Sequence, residues 1–224
     1  MKYFIRTTNQ RKIDESYNQI DYELLVDREG KPLKSLIEQY KYISQYDCVL
    51  LEDDLVLCKG FKEKIEEVIF ENPDKIINFF FAPTVYFESF SDEYKDNFHF
   101  SQCRYYPKGI TDKIAKELEK VDYNLATKTA KHVQNAANKL GYNIYQYRPC
   151  LVQHLDFDSL CKNCYGTRRT IWFIDYLKDL KIDYSEANLT ENKNKLRMYM
   201  KNDFDQRQDS TVGMKGTKKH TKSL

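Results

Sequence analysis

Glycine and proline are scarce in this chain, 7 and 5 among 224 residues, and no internal repeat runs through it. A collagen-like chain is excluded. The 18 Tyr and 13 Phe exclude a disordered one, because such chains lack the apolar area that offsets ordering entropy. No run reaches the roughly 18 to 20 uncharged apolar residues of a membrane-spanning helix. The opening Met1-Lys2-Tyr3-Phe4-Ile5-Arg6 meets charge too early for the apolar core of an export signal. A soluble, cytoplasmic protein without a transmembrane segment is expected, with enough chain for one large domain.

Net charge is also nearly missing, with 36 Lys+Arg against 34 Asp+Glu. The balance is uneven along the chain. From Lys193 to Leu224 there are nine basic and three acidic residues, a net of +6, which leaves the preceding body at −4. A Lys-rich arm on an acidic body favours polyanionic partners through counterion release; a solvated terminus accounts for it equally well. We therefore divide the chain into a body, 1–190, and a basic C-terminal tail, 191–224. The six cysteines, at 48, 58, 103, 150, 161 and 164, are expected to be reduced, as small buried hydrophobes or as metal ligands.

Short β-forming runs alternate with helical spacing. Strands are predicted near Lys2–Thr8, over Tyr22–Val26, from Asp47 through Leu51, within Lys75–Ala82 and over Tyr142–Tyr147. Leu33, Leu36, Ile37, Tyr40 and Ile43 predict a first helix, and Phe61, Ile65, Val68 and Ile69 a second that Pro73 ends. Ile110–Val121 and Ala126–Leu140 read as two more, the latter stopped by Gly141, and Thr170–Leu180 as a fifth. Thr84–Tyr106 has no sustained period and reads as a long irregular or lid-like segment. The alternation predicts an α/β fold with a mostly parallel sheet flanked by helices, in a single domain before the tail.

Glu52-Asp53-Asp54 lies between Val49-Leu50-Leu51 and Leu55-Val56-Leu57. Three acids inside an apolar run need an explanation, because buried carboxylates cost several kcal/mol unless paired or metal-bound. In an open α/β sheet the ligand crevice lies beyond the carboxyl ends of the strands, where such acids offer hard oxygen ligands to Mg²⁺ or Mn²⁺. The bland alternative is a solvated turn between two strands.

The segment from Tyr46 to Phe61 resembles the stretch around the Glu-Asp-Asp form of the Asp-X-Asp motif in GT-A fold, nucleotide-sugar-dependent glycosyltransferases. The resemblance implies a GT-A-like, Rossmann-like mixed sheet and a Mn²⁺ or Mg²⁺ cofactor. It also implies a nucleotide-diphosphate sugar donor, most simply a UDP-sugar. Asp54 is then the metal ligand, Asp53 the sugar or ribose contact, and Glu52 part of the donor site. Arg6 and Thr7, at the end of the first strand, correspond to a nucleotide-binding position, as do Asp27 and Arg28 at the end of the second. Arg148-Pro149-Cys150-Leu151-Val152-Gln153-His154 resembles a later segment of these transferases, implying that His154 completes the metal site or meets the diphosphate, beside Gln153. Asp122 corresponds to an acceptor-binding residue or general base, and equally suits a helix cap.

Two further features remain open on sequence alone. Cys150, His154, Cys161 and Cys164 have the ligand types of a Cys₃His zinc site, which competes with the transferase reading for His154. Arg168-Arg169, ahead of the last predicted helix, suits either phosphate binding or a solvated surface. With the basic tail, these arginines make DNA a possible acceptor, as for phage enzymes that glycosylate hydroxymethylated bases in the host cytoplasm. A surface polysaccharide or lipid-linked glycan is the other acceptor class. A non-enzymatic, zinc-dependent nucleic-acid-binding protein is the reading from a different class.

Overall fold

The computed structural model describes residues 1–8, 11–28, 30–80, 93–94, 101–121, 129–155, 170, 173–183 and 191–212, of which 93–94, 193 and 204–212 are described by backbone alone. It divides into two compact units, Met1–Asp175 and Tyr176–Leu224, so the 190/191 division read from charge falls inside the second.

The first unit is built on a seven-stranded mixed sheet. Its strands are β1 (Lys2–Thr7), β2 (Tyr22–Val26), β3 (Cys48–Glu52), β5 (Ile76–Asn78), β6 (Glu93–Tyr94), β7 (Cys103–Tyr106) and β8 (Ile144–Gln146), in the spatial order β2-β1-β3-β7-β5-β8-β6. The parallel pairs β1–β2, β1–β3 and β5–β8 give five strands one direction, while β7 and β6 oppose them. The expected α/β architecture with a mostly parallel sheet is therefore present. Two short strands, β4 (Leu55–Leu57) and β9 (Val152–His154), form a separate antiparallel pair.

Side-chain alternation sorts the sheet into two faces. Phe4, Cys48, Leu50, Tyr106, Ile76 and Ile144 belong to one core with α1 (Pro32–Ile43), α3 (Ile110–Leu118) and α4 (Thr129–Lys139). Ile110, Ile114 and Leu118 come one turn apart and are all buried, each worth at most about 1.5 to 3 kcal/mol relative to exposure. On the other face, the Tyr3 ring meets Phe61 of α2 (Phe61–Glu71) with centroids 6.5 Å apart, and the Tyr3 hydroxyl donates to Glu66. Just past the end of α4 stands Gly141, whose φ of +78° allows the Tyr142 amide to reach back to Ala137. Gly141 thus closes the helix as its sequence position suggests.

Two expectations need correction. Thr84–Tyr106 is not irregular throughout, because Cys103–Tyr106 forms β7 in the middle of the sheet, between β3 and β5. Its Arg104 is fully buried, with Nη1 donating to the Tyr106 hydroxyl, so a charged residue masks an interior strand. The rest of the lid-like segment, apart from β6 and 101–102, lies outside the described residues. Likewise, the helix expected from Thr170 begins only at Ile174 (α5, Ile174–Asp179), since Phe173 forms a β-bridge with Cys150 and Thr170 is backbone-bonded to the Gln153 side chain.

In the second unit, α6 (Lys193–Val212) makes much of the expected tail helical. The Tyr176 hydroxyl donates to Asp203, Tyr199 donates to Asp179, and the two rings meet edge-on. Among the described residues no helix is long and apolar enough to cross a membrane.

Candidate metal centre

β3 runs parallel to β1 with Glu52 in register with Arg6, which sets the acidic triplet at the carboxyl end of the parallel strands. The chain then turns through Asp53 and Asp54 into β4. Antiparallel pairing of Leu55 with His154, and the Leu155 amide donating to the Asp54 carbonyl at 2.8 Å, fix β9 beside that turn. Pairing across a hundred residues of sequence thus delivers an imidazole to the acids.

His154 Nε2 lies 3.4 Å from Asp54 Oδ2, and one ligand atom each from Glu52, Asp54 and His154 lies within 4.8 Å of the other two. Asp53, Asp54 and His154 are only 5%, 6% and 4% exposed, so these groups cannot rely on water to solvate them. Arg11 Nη1 lies 2.5 Å from Asp54 Oδ2 and 3.5 Å from Asp53 Oδ1. The Thr7 hydroxyl donates to Asp53 Oδ2 at 2.6 Å. Burial alone would raise the Asp54 carboxyl; contact with His154 and the charge of Arg11 outweigh it and hold the group below its usual range.

The 3₁₀ turn Glu15–Gln19 braces the acidic turn from below. Its Tyr17 hydroxyl donates to the Glu52 carbonyl at 2.5 Å, Ser16 Oγ accepts from the Leu57 amide, and Gln19 Oε1 accepts from the Phe61 amide. Burial above all, then neighbouring Cys103, Asp54, Asp53 and Glu52, push the Tyr17 phenol well above its usual range, so it remains a hydrogen-bond donor.

This set fits a divalent ion. Asp54 Oδ1 is buried with no hydrogen-bond partner among the described residues, an orphaned acceptor of the kind that native structures rarely leave. Two carboxylates with one imidazole make a mixed O/N donor set, which suits Mn²⁺ better than Mg²⁺, whose preference is for oxygen alone. Among the described residues, three carboxylates stand against the guanidinium of Arg11, a formal −2.

Of the residues singled out in the sequence, Glu52, Asp53, Asp54, His154 and Thr7 come together. The remainder have other placements. Arg6 shares the face of Phe4, and its Nε donates to Gln39 of α1 at 2.9 Å. Asp27 receives the Gly30 amide on its Oδ1, its own amide donates to the Thr7 carbonyl, and Arg28 is exposed beyond it. Gln153 clamps a neighbouring segment: its Oε1 accepts from the Thr170 and His154 amides and its Nε2 donates to the Thr170 carbonyl. Cys150 Sγ lies 3.5 Å from Thr170 Oγ1. Asp122, Cys161, Cys164, Arg168 and Arg169 lie outside the described residues. Sequence reasoning missed Arg11 and Tyr17. The only local hint was Asp14, which caps the 3₁₀ turn by accepting from the Ser16 amide.

No family model matches this chain, and no curated protein matches it. The solved structures that resemble it include one titled "Crystal Structure of A197 from STIV", with a TM-score of 0.40 and 14% identity, covering 68% of this chain and 84% of that one.

Proposed function

We propose that this protein is a metal-dependent glycosyltransferase of GT-A-like fold, moving a sugar from a nucleotide-diphosphate donor to an acceptor hydroxyl. The observation that carries this reading is the convergence of buried His154 and Asp54 with half-buried Glu52 at the carboxyl end of the parallel strands. That is where open α/β sheets take their ligands. Glu52, Asp54 and His154 would hold Mn²⁺ or Mg²⁺, which when bound supplies positive charge against the diphosphate leaving group.

The chain's own residues then divide the work. Thr7 holds one oxygen of Asp53, so that this carboxylate is oriented before the donor's sugar or ribose arrives. The Asp27 amide bonded to the Thr7 carbonyl ties the ends of β1 and β2 together, forming an edge on which the donor's base can lie, with Arg28 at its rim. Asp122 is the proposed base for the acceptor hydroxyl, and Arg168 and Arg169 are proposed to meet phosphate. The acceptor we favour is DNA carrying hydroxymethylated or glycosylated bases, on the strength of the +6 charge of 193–224. A UDP-sugar is the favoured donor.

A donor screen with Mn²⁺ tests the reading, with mass spectrometry of released nucleotide and of hydroxymethylated DNA. One donor should be turned over by the wild type. Asp54→Asn should lose that release by orders of magnitude while keeping its circular dichroism spectrum. Release that is equal in both proteins, or absent for every donor, contradicts it.

A further inference from the structure

The guanidinium of Arg11 stands where a cation belongs. It contacts both Asp53 and Asp54, its side chain is 14% exposed, and the Asp54 oxygen it touches also faces His154. A divalent ion held through both oxygens of Asp54, the orphaned Oδ1 and the Oδ2 that faces His154, would claim the oxygen on which Arg11 sits. A dication and a guanidinium cannot both press on one carboxylate oxygen in a site this poor in water, because their mutual repulsion is weakly screened. The guanidinium must therefore give way or exclude the ion. It has somewhere to go, since Arg11 lies in the connection between β1 and the 3₁₀ turn rather than within a strand or helix. A displaced Arg11 would remain tethered at the mouth of the centre. Its planar fork suits the non-bridging oxygens of a phosphate group.

We propose that Arg11 is a tethered counter-cation: it neutralises Asp53 and Asp54 when no divalent ion is bound, is displaced from Asp54 as the ion enters, and is thereby handed to the donor's diphosphate. This rests on the metal reading of Glu52, Asp54 and His154. It adds an order of events, in which the ion must come before, or together with, the phosphate contact of Arg11. It also assigns a phosphate-binding residue that charge patterning did not single out.

Two measurements on the full chain test it, neither depending on turnover. In the first, free Mn²⁺ is followed by electron paramagnetic resonance during titration of the wild type, Arg11→Gln and Asp54→Asn. Arg11→Gln should bind Mn²⁺ about tenfold more tightly than the wild type, equivalent to roughly 1.4 kcal/mol, because no guanidinium has to be displaced. Equal or weaker binding by Arg11→Gln overturns the proposal while leaving the metal reading standing. No binding by the wild type or Arg11→Gln removes the metal reading itself, and the proposal with it.

In the second, wild-type protein is treated with phenylglyoxal with and without saturating Mn²⁺, and modification of Arg11 is quantified by peptide mapping. Mn²⁺ should increase Arg11 modification severalfold. Unchanged or reduced modification of the Mn²⁺-saturated protein means that the guanidinium stays in place, and overturns the displacement. This arm needs no variant, so it decides the matter even if Arg11→Gln fails to fold.

Discussion

Gln153 offers a sharp test of how the centre is supported. Its side chain satisfies both the amide and the carbonyl of Thr170, at 2.9 and 2.8 Å, and accepts from the His154 amide at 3.1 Å. Gln153 and Thr170 are both buried, so water cannot replace these bonds. Gln153→Leu keeps the approximate shape and removes every polar contact. A hydrogen bond of this kind contributes about 0.5 to 1.5 kcal/mol net, so losing the three bonds predicts a loss of roughly 1.5 to 4.5 kcal/mol. For a unit of this size each kcal/mol is worth about 2 to 4 °C in Tm, so the variant should melt at least about 3 °C lower. Thermal and urea unfolding followed by circular dichroism measure this directly. Mn²⁺ affinity should fall too, because the strand that presents His154 loses its lateral support. A Gln153→Leu protein that melts with the wild type but no longer binds nucleotide would refute the reasoning and give Gln153 a direct donor contact instead.

Three other outcomes follow from the geometry. Tyr17→Phe removes a buried hydroxyl that donates to the Glu52 carbonyl; a loss of about 1 to 2 kcal/mol at unchanged m-value is expected, and an unmoved urea midpoint would contradict the brace. Lys181 has φ +53° just after α5, where the Ile182 amide bonds back to Leu177, so Lys181→Gly should raise stability by about 0.5 to 1 kcal/mol, read as an increase in Tm. Burial pushes the Cys48 thiol up to about 12. A group whose pKa is raised on folding stabilises fully below its unfolded value and loses that contribution as pH rises through the folded one. Urea stability should therefore decline from about pH 8.5 upward, and less steeply in Cys48→Ala; equal slopes for the two proteins would exclude a Cys48 contribution.

The elements legible in the sequence are those with local causes. Leu33, Leu36, Ile37, Tyr40 and Ile43 repeat at helical spacing and form the buried stripe of α1, and the apolar run ahead of Glu52 becomes β3. The metal cluster was partly legible, because the acidic triplet violates the apolar pattern around it and His154 follows a motif-like Gln. What was hidden depends on distant partners. β7 carries Arg104 in its middle, and nothing within Cys103-Arg-Tyr-Tyr says that Tyr106 will meet Tyr40 across the core with hydroxyls 2.5 Å apart. Arg11 sits in a polar connection that reads as solvated loop, and only the fold shows it pressed against Asp54, 43 positions away. Gln153 is singled out in the sequence by its neighbour His154, whereas the bonds its side chain makes to Thr170, at the start of an expected helix, are visible only in the fold.

Whether Glu52, Asp54 and His154 hold a divalent ion can be seen by anomalous diffraction from crystals soaked in Mn²⁺. One strong anomalous peak is expected between the Asp54 carboxylate and the His154 imidazole, absent from Asp54→Asn crystals soaked in the same way. A map with no peak there, with Arg11 still seated on Asp54 in Mn²⁺-soaked wild-type crystals, would contradict it.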